Sequence, residues 1–133
     1  MRRGLGVFVV VLSVLSMAQA ASAHDTTSFR ACTVSRGGCG TIGSAFLYGD
    51  TVIVRGQVRP PHAGYTARVL RRDPRSDGWV KVAEVTVSES GTMRYRWRTE
   101  YEDADQRRPY LFRFRIPGHG TSNMTEAYVL FGE

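Results

Sequence analysis

From Thr51 onward the chain alternates apolar and polar side chains in short runs, and glycine, proline or aspartate interrupts each run. That period of two, with no sustained period of 3.6 in residues 24–133, predicts strands rather than helices. Residues 51–58 put Val52, Val54 and Val58 on one face. "RPPHAG" at 59–64 then ends the run, since Pro60 and Pro61 have no N–H to give to a ladder. Residues 65–72 follow, with Tyr65, Ala67 and Val69 on one face and Arg68 and Arg72 on the other, before the turn "DPRSDG". In 79–87, Val85 and Val87 are in phase while Val80 and Val82 are not, which predicts a bulge near Val82-Ala83.

The cleanest alternation is 92–98: Met93, Tyr95 and Trp97 point one way, Arg94, Arg96 and Arg98 the other. After the acidic loop 99–109, residues 110–116 repeat the pattern, with Tyr110, Phe112, Phe114 and Ile116 opposite Leu111, Arg113 and Arg115. A last strand covers 125–131, and a weak one lies near 42–47. The expectation is an all-β sandwich of about seven antiparallel strands. Its core is drawn from the valine positions, the inward aromatic residues, Val129 and Phe131.

The order of these pieces carries a resemblance. "GDTVIVRGQV" leads to "ARVLRR", then "DGWVKVAEVTV", then "SGTMRYRW", and "YLFRFRIPG" closes the series. Over residues 48–131 this is similar to the bacterial Ig-like or fibronectin type III-like modules of secreted actinobacterial proteins. The resemblance implies an Ig-like (fibronectin III-like) sandwich and a non-enzymatic role as spacer, adhesion unit or binding accessory. It also implies that Tyr110, at the start of the penultimate strand, bonds its hydroxyl back to loop backbone. The chain departs from those modules in standing alone after a leader and in carrying an N-terminal cysteine loop.

Before position 24 the pattern changes. Arg2 and Arg3 precede an apolar run from Val7 to Met17, and Ala21-Ser22-Ala23 offers a cleavage site, with Ala18-Gln19-Ala20 as a second. Residues 1–23 therefore read as a secretory signal peptide, with an apolar stretch too short to span and stay. Three segments are expected: the leader 1–23, an N-terminal segment 24–40 with a Cys32–Cys39 loop, and the sandwich domain 41–133. The expected location is extracellular, with no membrane association once the leader is removed.

Of 18 basic residues, Arg2 and Arg3 leave with the leader, so the exported chain carries +4 against its 12 acids. Lys81 is its only lysine. This modest charge gives solubility and weak attraction to acidic surfaces, without the block of like charge that marks a nucleic-acid tail. Tyr95 and Trp97 alternate away from the arginines, so rings and charges do not share a face for stacking bases. The arginines read as a solvated sheet face, with Glu84, Glu100 and the acids at 102–105 available to pair with them. No specific nucleic-acid partner is expected.

In "CTVSRGGC" the leading reading is a Cys32–Cys39 disulfide, since export favours oxidation and Gly37-Gly38 lets the chain turn back. A short loop of this kind contributes about 2–3 kcal/mol at most in the chain-entropy model. A zinc pair lacks further cysteines, and the spacing is not that of a redox motif.

His24 becomes the mature N-terminus if cleavage follows Ala23. A terminal histidine offers its amine and ring to one metal ion and, with a second histidine, makes a copper brace. That arrangement is similar to the one in secreted copper proteins with Ig-like cores, lytic polysaccharide monooxygenases among them. His62 and His119, both in expected loops, are the only candidates for the second ring. The rest of those families' pattern is absent, and the competing reading is a flexible terminus with two loop histidines.

No nucleophile elbow, H-E-x-x-H or P-loop occurs, so no enzyme and no cofactor are expected. The acids Glu100, Glu102, Asp103 and Asp105 match no calcium-loop spacing and read as a solvated loop. Actinobacterial chromoprotein apoproteins, of similar length, need two disulfides where this chain makes one.

Three functions stay open: a secreted non-enzymatic module binding a protein or polysaccharide at the cell surface, partly through exposed Tyr48 and Tyr101; a small copper-binding protein using His24; and an inhibitor presenting the disulfide loop as a constrained finger.

Overall fold

The structure is a computed structural model and describes residues 26–132. The expected leader, residues 1–23, and His24 lie outside the described residues. Ten strands form two sheets. The first is built from β1 (Ser28–Ser35), β2 (Gly38–Gly40), β4 (Thr51–Arg59) and β7 (Thr92–Arg98), in the order β2-β1-β4-β7. The second runs β3-β10-β8-β5-β6, from β3 (Ser44–Leu47), β5 (Thr66–Arg72), β6 (Val80–Thr86), β8 (Tyr110–Ile116) and β10 (Thr125–Leu130). A two-residue β9 (Gly120–Thr121) pairs with β8. The all-β sandwich is as expected. Among the described residues no helix is long and apolar enough to cross a membrane.

The inward faces meet as the period-two pattern requires. Val52, Val54 and Val58 of β4 face Phe112, Phe114 and Ile116 of β8, all at most 1 % exposed. Tyr95 and Trp97 are half-buried against this core, while Arg94, Arg96 and Arg98 are exposed. Gly56 lies inward because there is no room for more: a Cβ there would come within 2.8 Å of the Phe114 ring. The register of β5 against β6 slips between Val69 and Leu70, leaving Val82 as the extra residue. The out-of-phase valines marked that bulge.

Three expectations change. All seven expected strands form, but β1, β2 and β9 add to them, and β3 runs parallel to β10 rather than antiparallel. The segment 24–40 is not separate from the sandwich. From Ser28, β1 pairs along its length with β4, with Phe29, Ala31 and Thr33 inward. Asn123 reinforces this: its Oδ1 accepts from Ala31 N at 2.8 Å and its Nδ2 donates to Ala31 O at 2.9 Å. Thr33 and Thr125 share a buried hydroxyl hydrogen bond of 2.7 Å between the sheets. Lastly, Phe131 is 42 % exposed and belongs to no core. It packs edge-on to Tyr101, which in turn meets Tyr48, so both tyrosines expected at the surface are there.

Tyr110 donates its hydroxyl to the carbonyl of Asp103 at 2.7 Å, bridging the start of β8 to the preceding loop. Burial, with Asp103 and Asp73 close by, pushes its phenol up to about 12, and burial also raises Tyr95. A phenol raised above its ordinary 10 stabilises the fold fully below pH 10 and loses that stabilisation as pH climbs toward 12. We therefore expect roughly 2–3 kcal/mol to disappear across that window in urea unfolding. Tyr110→Phe should make the decline shallower, leaving the smaller share from Tyr95. An equally steep decline in Tyr110→Phe would refute the assignment.

Candidate metal centre

At one end of the sandwich, two turns and the beginning of β1 converge. The turn "RPPHAG" joins β4 to β5. His62 there has φ +50°, the left-handed region in which a non-glycine residue carries strain. Hydrogen bonds hold the turn in place: Tyr65 N donates to His62 O at 3.1 Å and Gly64 N to Val87 O at 2.9 Å. His62 is consequently only 9 % exposed. Its Nδ1 hydrogen-bonds the Pro60 carbonyl. A carbonyl only accepts, so Nδ1 holds the proton and, in the neutral ring, Nε2 carries the lone pair. A backbone carbonyl on one ring nitrogen is the usual way a protein aims the other at a metal.

The second turn, "PGHG", joins β8 to β9. His119 N donates to Ile116 O at 2.9 Å, which folds the turn back over the sheet end. The His119 ring then lies 5.0 Å from that of His62, with planes at 63°. Tyr65 completes a three-ring cluster, stacked on His119 at 5.0 Å and 29° and edge-on to His62 at 5.4 Å.

The first described residues lie at the same end of the sandwich. Thr26 Oγ1 donates to the His119 carbonyl at 2.9 Å, and Thr27 N donates to the Arg59 carbonyl at 2.8 Å. The first described residues are thus pinned between the two histidine turns. His24 precedes Thr26 by two residues in the sequence.

Two imidazoles bound to one ion at metal–nitrogen distances of about 2.0–2.1 Å have ring centres about 4.5–5 Å apart at cis or tetrahedral angles. The observed 5.0 Å fits. Ring packing alone gives similar spacings, so distance is not the argument by itself. The left-handed φ of His62 and its Nδ1 bond to the Pro60 carbonyl fix that ring beside His119, whose carbonyl also accepts from Thr26. Among the described residues no group of three or more histidine, cysteine, aspartate or glutamate side chains is placed to hold a metal. A tight site here needs ligands beyond the pair.

The other candidates lie elsewhere. Cys32 and Cys39 form the disulfide, with Cα atoms 5.3 Å apart. It ties β1 to the edge strand β2 on the outer sheet face, so the loop is a two-stranded hairpin with an exposed tip at 36–39. Two acids of the 99–109 loop, Asp103 and Asp105, are engaged by the loop's own backbone. Asp103 accepts from Glu100 N at 2.7 Å, and Asp105 Oδ1 from Arg107 N and Arg108 N at 2.9 Å each. Those two backbone donors hold the Asp105 carboxyl below the ordinary aspartate range.

The chain matches no known family model and no curated protein.

Sequence reasoning named both histidines but not their meeting, and it assigned Tyr65 only to a strand face. The signal was present in outline: both turns sit one strand-length from turns at the opposite end, so alternating connections place them together.

Proposed function

We propose that this is a secreted, non-enzymatic binding module whose ligand is a copper ion, held by His62 and His119 and completed by the α-amine and ring of a mature N-terminal His24. The observation that carries this reading is the pairing of the two turn histidines where Thr26 and Thr27 are pinned. Imidazole and amine nitrogens bind copper(II) most strongly among the divalent first-row metals. The strand order, with β1-β4-β7 against β10-β8-β5-β6, and the Tyr110 hydroxyl bond support placing the module among Ig-like sandwiches. Release from the membrane after leader cleavage follows from the same reading.

The test uses tag-free protein exported by a host that removes the leader, with its N-terminus fixed by mass spectrometry. Calorimetric titration with copper(II) should give one ion per chain. A hundredfold excess of free copper over Kd should stabilise the fold by about 2.7 kcal/mol. His62→Ala and His119→Ala should each weaken binding by at least tenfold while both variants stay folded. Equal affinity in the double variant would overturn the site. A chain beginning at Ala21 would remove His24 from it.

A further inference from the structure

The outer face of the first sheet carries a second pattern that becomes visible once the strands are in register. On β7, Arg98, Arg96 and Arg94 follow one another at every second residue. Arg55 of β4 is directly opposite Arg94, and Arg30 of β1 is opposite Gln57. Arg59 ends β4 on the same face. All six are exposed. Thr51 pairs with Arg98, so the stripe from Arg98 to Arg59 spans the eight steps of β4. At about 3.3 Å per residue it is roughly 26 Å long.

Among the described residues, no acid interrupts it. The pairing expected from the acidic residues goes elsewhere: Glu84 binds Lys81 at 3.0 Å, Asp105 faces Arg75, and Asp73 holds Arg71. Among the described residues, none of the six is in an ion pair. Among the described residues, the nearest acids in sequence, Asp50, Glu89 and Glu100, lie in the turns at the strand ends. The outer face of the second sheet differs, for there Glu84 sits directly opposite Arg68. Like charges directly opposite on neighbouring strands destabilise a sheet, and the Arg55–Arg94 pair keeps that cost without a compensating carboxylate. An open groove of about 680 Å³ runs beside the stripe, with Arg30, Arg55 and Arg59 in its wall and the Cys32–Cys39 disulfide at its edge.

We propose that this stripe docks a linear phosphate-bearing polymer, laid along the strands and gripped through its phosphates. Guanidinium forks match phosphate oxygens in charge and geometry. Successive arginines on β7 are about 6.6–6.8 Å apart, a repeat suited to one charge per unit of an extended chain. The array is a line more than a patch, which favours a thread over a flat lipid surface. Its face carries no aromatic ring, so bases gain no stacking there, and binding is blind to base identity.

The probe is long-chain inorganic polyphosphate, titrated into the exported protein at several salt concentrations. Six phosphate contacts should give log Kobs against log[salt] a slope of about −4, falling to about −2 in Arg94→Ser/Arg96→Ser/Arg98→Ser. A control, Arg75→Ser/Arg107→Ser/Arg108→Ser, removes the same charge elsewhere and should keep the wild-type slope and affinity. Equal weakening in the control would show diffuse attraction and overturn the site, as would unchanged binding in the β7 triple variant. Circular dichroism shows whether each variant is folded; if the triple variant is not, Arg55→Ser alone should lower the slope by about 0.7. Anionic phospholipid vesicles bound in preference to polyphosphate would overturn the choice of a linear polymer, and homopolymer DNA bound more tightly at equal charge would overturn the purely phosphate grip.

Discussion

Gly91→Ala is expected to lower unfolding stability by about 3 kcal/mol or more, the sum of a left-handed backbone and a backbone collision. Gly91 turns the chain from β6 into β7 at φ +82°, and a Cβ built there would lie 2.3 Å from the carbonyl oxygen of Val58. That carbonyl cannot move freely. Val58 N donates to Gly91 O at 2.9 Å, and Val58 is itself wholly buried. Gly49→Ala separates the two causes: its φ is +93°, but nothing lies within 4 Å of the added Cβ. It should cost only the conformational part, on the order of 1 kcal/mol. Chemical denaturation of the two variants measures the difference. Equal losses would mean the Val58 contact relaxes without cost.

The second large effect belongs to Phe114. Its ring fills the space above Gly56 and is fully buried, and its backbone is bound on both sides by Ser122. Phe114→Ala should destabilise by about 3–5 kcal/mol, combining lost transfer energy with a cavity between the sheets. Gly56→Ala alone should cost about 1–3 kcal/mol through overpacking. Combined with Phe114→Ala, the added methyl should cost much less, because the ring it collides with is gone. A double-mutant cycle reads that coupling directly, and additive losses would refute the packing described for this pair.

These residues also show what the sequence disclosed. Phe114 and the valines of β4 announced themselves by alternation, and the bulge at Val82 followed from a phase change that only an extra residue explains. β1 was missed because its inward residues are Phe29, Ala31 and Thr33. One is small and one is polar, and Thr33 is tolerated inside only because Thr125 bonds it. Arg71 was not placed on either face; in phase with Ala67 and Val69, it turns inward at the end of β5, where its guanidinium lies 4.7 Å from the Trp97 ring and its Nε donates to Asp73 at 2.6 Å. The arginine stripe was half legible. Period two put Arg94, Arg96 and Arg98 together, but Arg30, Arg55 and Arg59 join them only through register, which no single strand encodes. The histidines were legible as residue types in turns. Their meeting depends on which turns share an end of the sandwich, and that is a property of the topology.

A copper-loaded crystal measured at the copper absorption edge tests the proposed metal centre most directly. One anomalous peak per chain is expected, about 2.0–2.1 Å from imidazole nitrogens of both His62 and His119, with the α-amine of His24 completing the proposed site. A peak bound away from these two rings, or none at saturating copper, would contradict it.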